Sequence, residues 1–245
     1  WGCARANPWA DRVFPDNVCG MSACRLCGAE LRHGFCDLGM SPLSNAFLRA
    51  EQLNAMECFY PLRAWVCGEC KLVQIEQFEK PDHIFSDDYA YFSSYSETWL
   101  AHSRTYASAM SARFSLGASQ RVIEIASNDG YLLQYFKGLG VPVLGIEPAA
   151  NVALAAEEKG IQTRVEFFGT NCATRLAADG LLADLMVANN VLAHVPALND
   201  FIEGVRILLA PDGVATLEFP HLLRLILGNQ FDTIYHEHFS YFSLL

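Results

Sequence analysis

Between residues 120 and 220 the sequence alternates short apolar runs with Ala- and Leu-rich stretches, an order that leaves few folds open. Arg121–Ile125, Pro142–Ile146, Thr163–Phe167, Leu185–Asn189 and Gly213–Glu218 read as strands, and Ala149–Lys159 and Leu198–Leu209 as helices. Strand, helix, strand at this spacing requires crossover connections, hence a parallel sheet with helices on both faces. The expected fold class is α/β, with a Rossmann-like parallel sheet. Of the 245 residues 52% are hydrophobic and 18% charged, enough apolar material for a sizeable core and too little charge for a disordered chain.

The first 75 residues read differently. Cys24-Arg25-Leu26-Cys27 and Cys67-Gly68-Glu69-Cys70 are two CxxC pairs separated by 39 residues. Each pair can grip one side of a tetrahedral ion, so Cys24, Cys27, Cys67 and Cys70 together make a four-thiolate zinc site with no open position, structural rather than catalytic. Gly28 and Gly68 suit the tight turns of such knuckles. The alternative is four buried reduced thiols. Cys3, Cys19, Cys36, Cys58 and Cys172 show no such pairing, and nine cysteines in a chain of this size do not suit a disulfide framework. The expected organisation is a probable non-native extension over 1–20, with Met21 as the natural start, and a β-rich zinc module over 21–75. An aromatic linker and helix follow over 76–118, the helix near Ser96–Phe114, and a cofactor-binding domain over 119–245.

Ligands of open parallel sheets bind at the carboxyl ends of the strands. The run Val122-Ile123-Glu124-Ile125-Ala126-Ser127-Asn128-Asp129-Gly130 is such a junction, a strand entering a loop of small residues before a helix begins near Tyr131. The next strand ends in Glu147, 17 residues after Gly130, where a carboxylate can accept from ribose hydroxyls. G-x-G-x-x-G is absent, with Ala126 and Asn128 near the expected glycines, and Glu124 would repel a pyrophosphate. These residues favour S-adenosylmethionine over NAD. Farther on, Asn189, Asn190 and His194 offer two amides and an imidazole, either to a ligand or as ordinary turn chemistry. The segment Tyr235-His236-Glu237-His238 is dense in titratable groups; histidine is the natural base near neutral pH, and a neighbouring carboxylate can orient it. If extended, it would place Tyr235, Glu237 and Phe239 on one side and the histidines on the other; a turn would break that rule.

Taken together, these motifs resemble the sugar C-methyltransferases that act on nucleotide-linked deoxysugars, of the kind that methylates carbon 3 of the tetronitrose precursor. The resemblance covers residues 21–245 and is carried by CRLCG with VCGEC, SPLSNAFL (Ser41–Leu48), DYAYFSSYS (Asp88–Ser96), IEIASNDGYLLQ, GIEPAANVA, ANNVLAHV, EFPHLL and YHEHFSYFSL. It implies a class I methyltransferase sheet preceded by the zinc module. It implies zinc on the four cysteines, and S-adenosylmethionine lined by Glu124, Ser127, Asn128 and Glu147, with Ser93 closing the site. It further implies His238 as general base, with Tyr89, His194, Tyr235 and Glu237 around the sugar. Members of the family are longer and carry a C-terminal domain, so the chain is expected to stop before the sheet and the substrate site are complete.

Two other classes remain open on the residues alone: an NAD-dependent oxidoreductase on a similar sheet, and a non-catalytic zinc-ribbon binding module. A nucleic-acid partner is disfavoured by a net charge of −10 and by an even balance of basic and acidic residues over 21–75. No apolar run is long enough for a membrane helix, and no secretion signal is visible. The expected state is a cytoplasmic monomer whose partner is the nucleotide-linked deoxysugar.

Overall fold

The computed structural model describes residues 23–44, 47–78 and 90–243. The expectations for residues 1–20 and Met21, for Cys3 and Cys19, and for the stretch containing Tyr89 lie outside the described residues.

The N-terminal module is built on β1 (His33–Ser41), β2 (Tyr60–Val66) and β3 (Val73–Ile75), paired antiparallel in that order. The knuckles precede β1 and β3. In the first, Gly28 takes φ +76°, as expected of a glycine after a CxxC. In the second, the equivalent left-handed residue is Lys71, at φ +63°, and not Gly68. Gly68 serves a close approach instead, because a Cβ there would lie 3.3 Å from Nε2 of His33.

Helix α1 (Glu97–Phe114) matches its expected span and is capped by Ser96, whose Oγ accepts from the Trp99 N–H at 3.3 Å. The parallel sheet follows as β4 (Val122–Ile125), β5 (Val143–Ile146), β6 (Thr163–Arg164), β7 (Ala183–Asn189) and β8 (Leu209–Glu218). They alternate with α2 (Leu133–Gly138), α3 (Ala150–Glu158), α4 (Thr170–Ala178) and α5 (Leu198–Leu208). The spatial order is β6-β5-β4-β7-β8, all pairs parallel, so the chain reverses its direction of travel between β4 and β7. Every residue of β4 is buried, the signature of a strand covered on both faces. The sixth strand is shorter than expected: it ends at Arg164, and Val165 and Phe167 are exposed at the sheet edge.

After β8 come α6 (Leu222–Leu227), a turn, and β9 (Ser240–Tyr241). The last of these leaves the parallel sheet and pairs with β3, placing Ser240 opposite Gln74 and Tyr241 opposite Val73. The end of the described chain is thus the fourth strand of the zinc module's sheet. Leu62, Ala64, Val73 and Ile75 of the module pack there with Leu222, Phe239 and Tyr241. A second cluster joins Cys24, Leu31, Cys67 and Leu72 to Ile123, Met186 and Phe201, so module and parallel sheet share one core. No helix among the described residues is long and apolar enough to cross a membrane.

Candidate active site

A cavity of about 700 Å³ opens at the carboxyl ends of β4, β5 and β7, where the strand order reverses. Ser93, Asn128, Glu147, Asn189, Asn190, His194, Tyr235, Glu237 and His238 all line it. These residues come from six separate stretches of sequence.

The floor is the loop after β4. Ala126, Asn128 and Gly130 all have positive φ, at 52°, 49° and 74°. The sequence lacks the glycines that such a loop usually carries, yet the backbone takes the left-handed turns that glycine favours, at roughly 1–2 kcal/mol for Ala126. Only the third position is closed to a side chain: a Cβ on Gly130 would meet Ile161 Cγ1 at 3.0 Å. Glu124, inside β4, and Ser127, beneath the loop, are fully buried and do not line the cavity. The Glu124 carboxyl meets the Tyr131 hydroxyl, and Ser127 Oγ has no hydrogen-bond partner among the described residues. Burial, with Glu147 and Asp129 nearby adding to it, holds the Glu124 carboxyl well above the usual carboxylate range. Gly145 of β5 makes room for Ser127, whose Oγ would sit 2.4 Å from a Cβ there.

Glu147 lies at the tip of β5. Its Oε2 accepts from the Asn128 N–H and its Oε1 from the Ala149 N–H, each at 2.9 Å. Burial outweighs those two donors and pushes the carboxyl up to about 7. Each oxygen keeps lone pairs for a diol. Asn128 also clamps the aromatic stretch onto the loop, because its Oδ1 accepts from the Ser93 N–H (2.8 Å) and its Nδ2 donates to the Tyr91 carbonyl (3.1 Å). Lys159 adds a second clamp, donating to Ser94 Oγ and to Asp129.

The roof is the turn at 235–238, closed by the His238 N–H donating to the Tyr235 carbonyl at 2.9 Å. This turn breaks the alternation of an extended strand. It puts Tyr235 and His238 side by side, while His236 points away and donates from Nε2 to the Pro61 carbonyl (3.1 Å). His238 Nδ1 lies 2.9 Å from the Thr233 carbonyl, which can only accept, so Nδ1 carries the hydrogen and Nε2 bears the lone pair. Nε2 accepts from the Tyr235 hydroxyl at 2.8 Å. Burial lowers His238 from its ordinary value and pushes Tyr235 up to about 12, the latter helped by Glu237. His194, in the short turn Leu192–His194, packs edge-on to His238 with ring centroids 4.6 Å apart, and burial with the neighbouring ring brings it down to about 3. Both imidazoles are therefore neutral at pH 7. Glu237 accepts from Ser44 Oγ at 2.9 Å, which ties the Ser41–Leu48 motif to the roof.

Sequence reasoning missed part of the wall. Glu166, Phe167 and Phe168 after β6, Asp200 of α5, and Trp99 and Tyr131 also line the cavity. The only signal available for the first three was an apolar run that resembled more strand.

The four cysteine sulfurs lie within 4.8 Å of one another. Cys24 and Cys70 are 3.5 Å apart and Cys27 and Cys67 3.6 Å, close to the roughly 3.8 Å that thiolates on one tetrahedral zinc require. Burial raises the Cys24 thiol, but the N–H groups of Cys27 and Leu26 and the Gln74 amide outweigh it and bring it down to about 6. Burial and the neighbouring sulfurs push Cys70 up to about 12, so the cluster's charge is shared unevenly; four clustered sulfurs, with backbone N–H groups directed at Cys24, Cys67 and Cys70, fit a structural zinc ion.

The sequence matches two family models: one described as "Putative zinc binding domain" over residues 24–85, the other as "Methyltransferase domain" over residues 99–245. It is 35% identical over 229 residues to the C-methyltransferase NovU of Streptomyces niveus, an alignment taking in 94% of this chain and 54% of NovU. The chain thus spans about half the length of that curated relative. Among solved structures, DesVI of Streptomyces venezuelae superposes with a TM-score of 0.42 at 15% identity, covering 51% of this chain and 52% of that one. A DhpI–SAH complex superposes with a TM-score of 0.35 at 23% identity, covering 48% of this chain and 65% of that one.

Proposed function

The chain belongs to the methyltransferase domain family, and from that premise we propose that it is the zinc-bearing and cofactor-binding part of an S-adenosylmethionine-dependent sugar C-methyltransferase, with a 4-keto-6-deoxysugar linked to thymidine diphosphate as substrate and carbon 3 as the methylated atom. The likeness to a C-methyltransferase supports carbon as the acceptor. The observation that carries the reading is a histidine in the cavity lining, His238, whose unprotonated Nε2 is paired with the hydroxyl of a tyrosine that also lines it.

When bound, S-adenosylmethionine supplies an electrophilic methyl group. The protein's part is to hold the reactants and move one proton. Glu147 receives the ribose diol, and Asn128 and Ser93 shape the wall beside it. The sugar ketone acidifies the hydrogen on carbon 3, and His238 Nε2 accepts that proton, becoming imidazolium while the electron pair moves onto the ketone oxygen. Because Nε2 has a single lone pair, the Tyr235 hydroxyl turns from Nε2 to the ketone oxygen before the transfer and stays there as the donor to the enolate oxygen. Its raised pKa keeps it protonated for that task. Neutral His194 stands beside it as a second polar group. The nucleophilic carbon 3 so formed would be the acceptor of the methyl group that S-adenosylmethionine would supply, and His238 would return its proton to solvent. Holding both reactants in one dry cavity supplies much of the rate.

The test is hydrogen exchange at carbon 3 of the ketosugar nucleotide in deuterated buffer. In a full-length version, His238→Asn is expected to bind both S-adenosylhomocysteine and the ketosugar nucleotide and to stop the exchange; retained exchange removes His238 as the base. Calorimetry with S-adenosylhomocysteine and NAD in parallel tests the cofactor, and binding of NAD alone would overturn the reading.

A further inference from the structure

Arg25 is a zinc-knuckle residue that makes no use of the metal. It lies between Cys24 and Cys27, and its side chain leaves the knuckle toward the end of β3 and the segments behind the cavity wall. One guanidinium nitrogen donates to the Ile75 carbonyl at 2.6 Å, the last residue of β3. A second donates to the Pro196 carbonyl at 3.3 Å, two residues beyond His194. The guanidinium carbon stands 5.2 Å from the centroid of the Phe239 ring, the residue directly after His238, within cation–π range. Phe239 is itself fastened to the same strand end, since its carbonyl accepts from the Ile75 N–H at 3.1 Å.

The backbone of Arg25 is held just as firmly. Its N–H donates to Gln74 Oε1 at 3.0 Å, while Gln74 Nε2 donates to Cys24 Sγ at 3.1 Å. Gln74 is buried and sits opposite Ser240 in β9. Asn199 repeats the attachment from the other side, its Nδ2 donating to the Leu26 carbonyl at 3.0 Å. One side chain rooted in the knuckle thus spans the segment that follows His194 and the segment that follows His238.

We infer that Arg25 is a positioning residue: by bridging Pro196 and Phe239 it fixes the His194 and His238 rings against each other and so sets the aim of His238 into the cavity. Lysine cannot replace it fully, because a single ammonium lacks the planar fork that reaches two carbonyls while lying over a ring. The role assigned to His238 rests on the proposed function; the ring geometry does not.

The experiment reads both. In zinc-loaded protein with protonated histidine rings on a deuterated background, the wild type is expected to show a cross-relaxation peak between the His194 and His238 rings, whose centroids are 4.6 Å apart. In Arg25→Ala the peak is lost, zinc stays at one per chain, affinity for S-adenosylhomocysteine stays within about twofold, and kcat for exchange at carbon 3 falls about 10–100-fold with little change in KM, the scale of a small misplacement of a reacting group. Arg25→Lys restores part of both signals. If Arg25→Ala fails to hold zinc, Arg25→Lys and Phe239→Leu decide by the same peak. An unchanged peak and exchange rate in a zinc-loaded variant overturn the inference. Loss of the peak in Arg25→Ala, with exchange retained in His238→Asn, leaves the positioning role standing and overturns the assignment of His238 as base.

Discussion

The Glu147 carboxyl should make cofactor affinity depend on pH in a range where few carboxylates titrate. Burial raises it to about 7 against an ordinary 4.5, with the Asn128 and Ala149 N–H groups pulling the other way. The fold therefore prefers the protonated acid, and between pH 4.5 and 7 the folded chain binds more protons than the unfolded one. Stability falls as pH rises through that window, by about 3 kcal/mol for a shift of this size. A ribose diol donates hydrogen bonds and so selects the carboxylate. At pH 6 about one molecule in ten is ionised and at pH 8 about nine in ten, so affinity for S-adenosylhomocysteine should weaken about tenfold from pH 8 to pH 6, or about 1.4 kcal/mol. His194, brought down to about 3 by burial, stays neutral across this range, and Glu147→Gln separates the carboxyl's slope from any contribution of His238. Calorimetric titrations between pH 5.5 and 8.5 measure it. Glu147→Gln keeps one acceptor oxygen but cannot ionise; its binding should be weak and flat across the range. Equal wild-type affinity at pH 6 and pH 8, or a slope that survives in Glu147→Gln, would refute the argument.

Other expectations follow from single contacts. Gly130→Ala puts a Cβ against Ile161 at a left-handed residue and should cost about 2–4 kcal/mol in urea unfolding, the sum of strain and overpacking. Asn128→Ala removes the clamp on Tyr91 and Ser93, so amide exchange of residues 90–95 should speed up and affinity for S-adenosylhomocysteine should drop about tenfold, the scale of a lost pair of buried hydrogen bonds. Cys27→Ser leaves three thiolates; zinc content should fall below one per chain, and the melting temperature should fall with it.

The parallel sheet was legible because each strand carries its own apolar run: three of the five appear with bounds close to those expected, and the last, expected over Gly213–Glu218, begins four residues earlier at Leu209. Thr163–Phe167 misled because an edge strand without an outer neighbour stops pairing while its sequence stays apolar; Phe167 and Phe168 became cavity wall instead. The metal site was legible because CxxC spacing is itself a geometric instruction. Ser127 was harder to place, since its facing depends on left-handed turns at Ala126 and Asn128 that neither residue type announces; Glu124 faces inward because β4 is covered on both sides. The strand β9 left no trace in the sequence: two residues have no period, and their partner lies at the far end of the described chain. The bridging role of Arg25 was hidden for the same reason, as its partners Pro196 and Phe239 are distant in sequence.

The pairing of β3 with β9 also orders events in time. A ribosome delivers the knuckles and β3 first and β9 only after the whole parallel sheet has emerged. Until then β3 presents an unpaired edge with Val73, Gln74 and Ile75 ready to join another chain. Closing that edge is a contact of very long sequence separation, hence a late step. Since His238 lies two residues before β9, the step that seals the small sheet is also the step that brings His238 to the cavity, and the cavity's roof is not in place until β3 has gained its last neighbour.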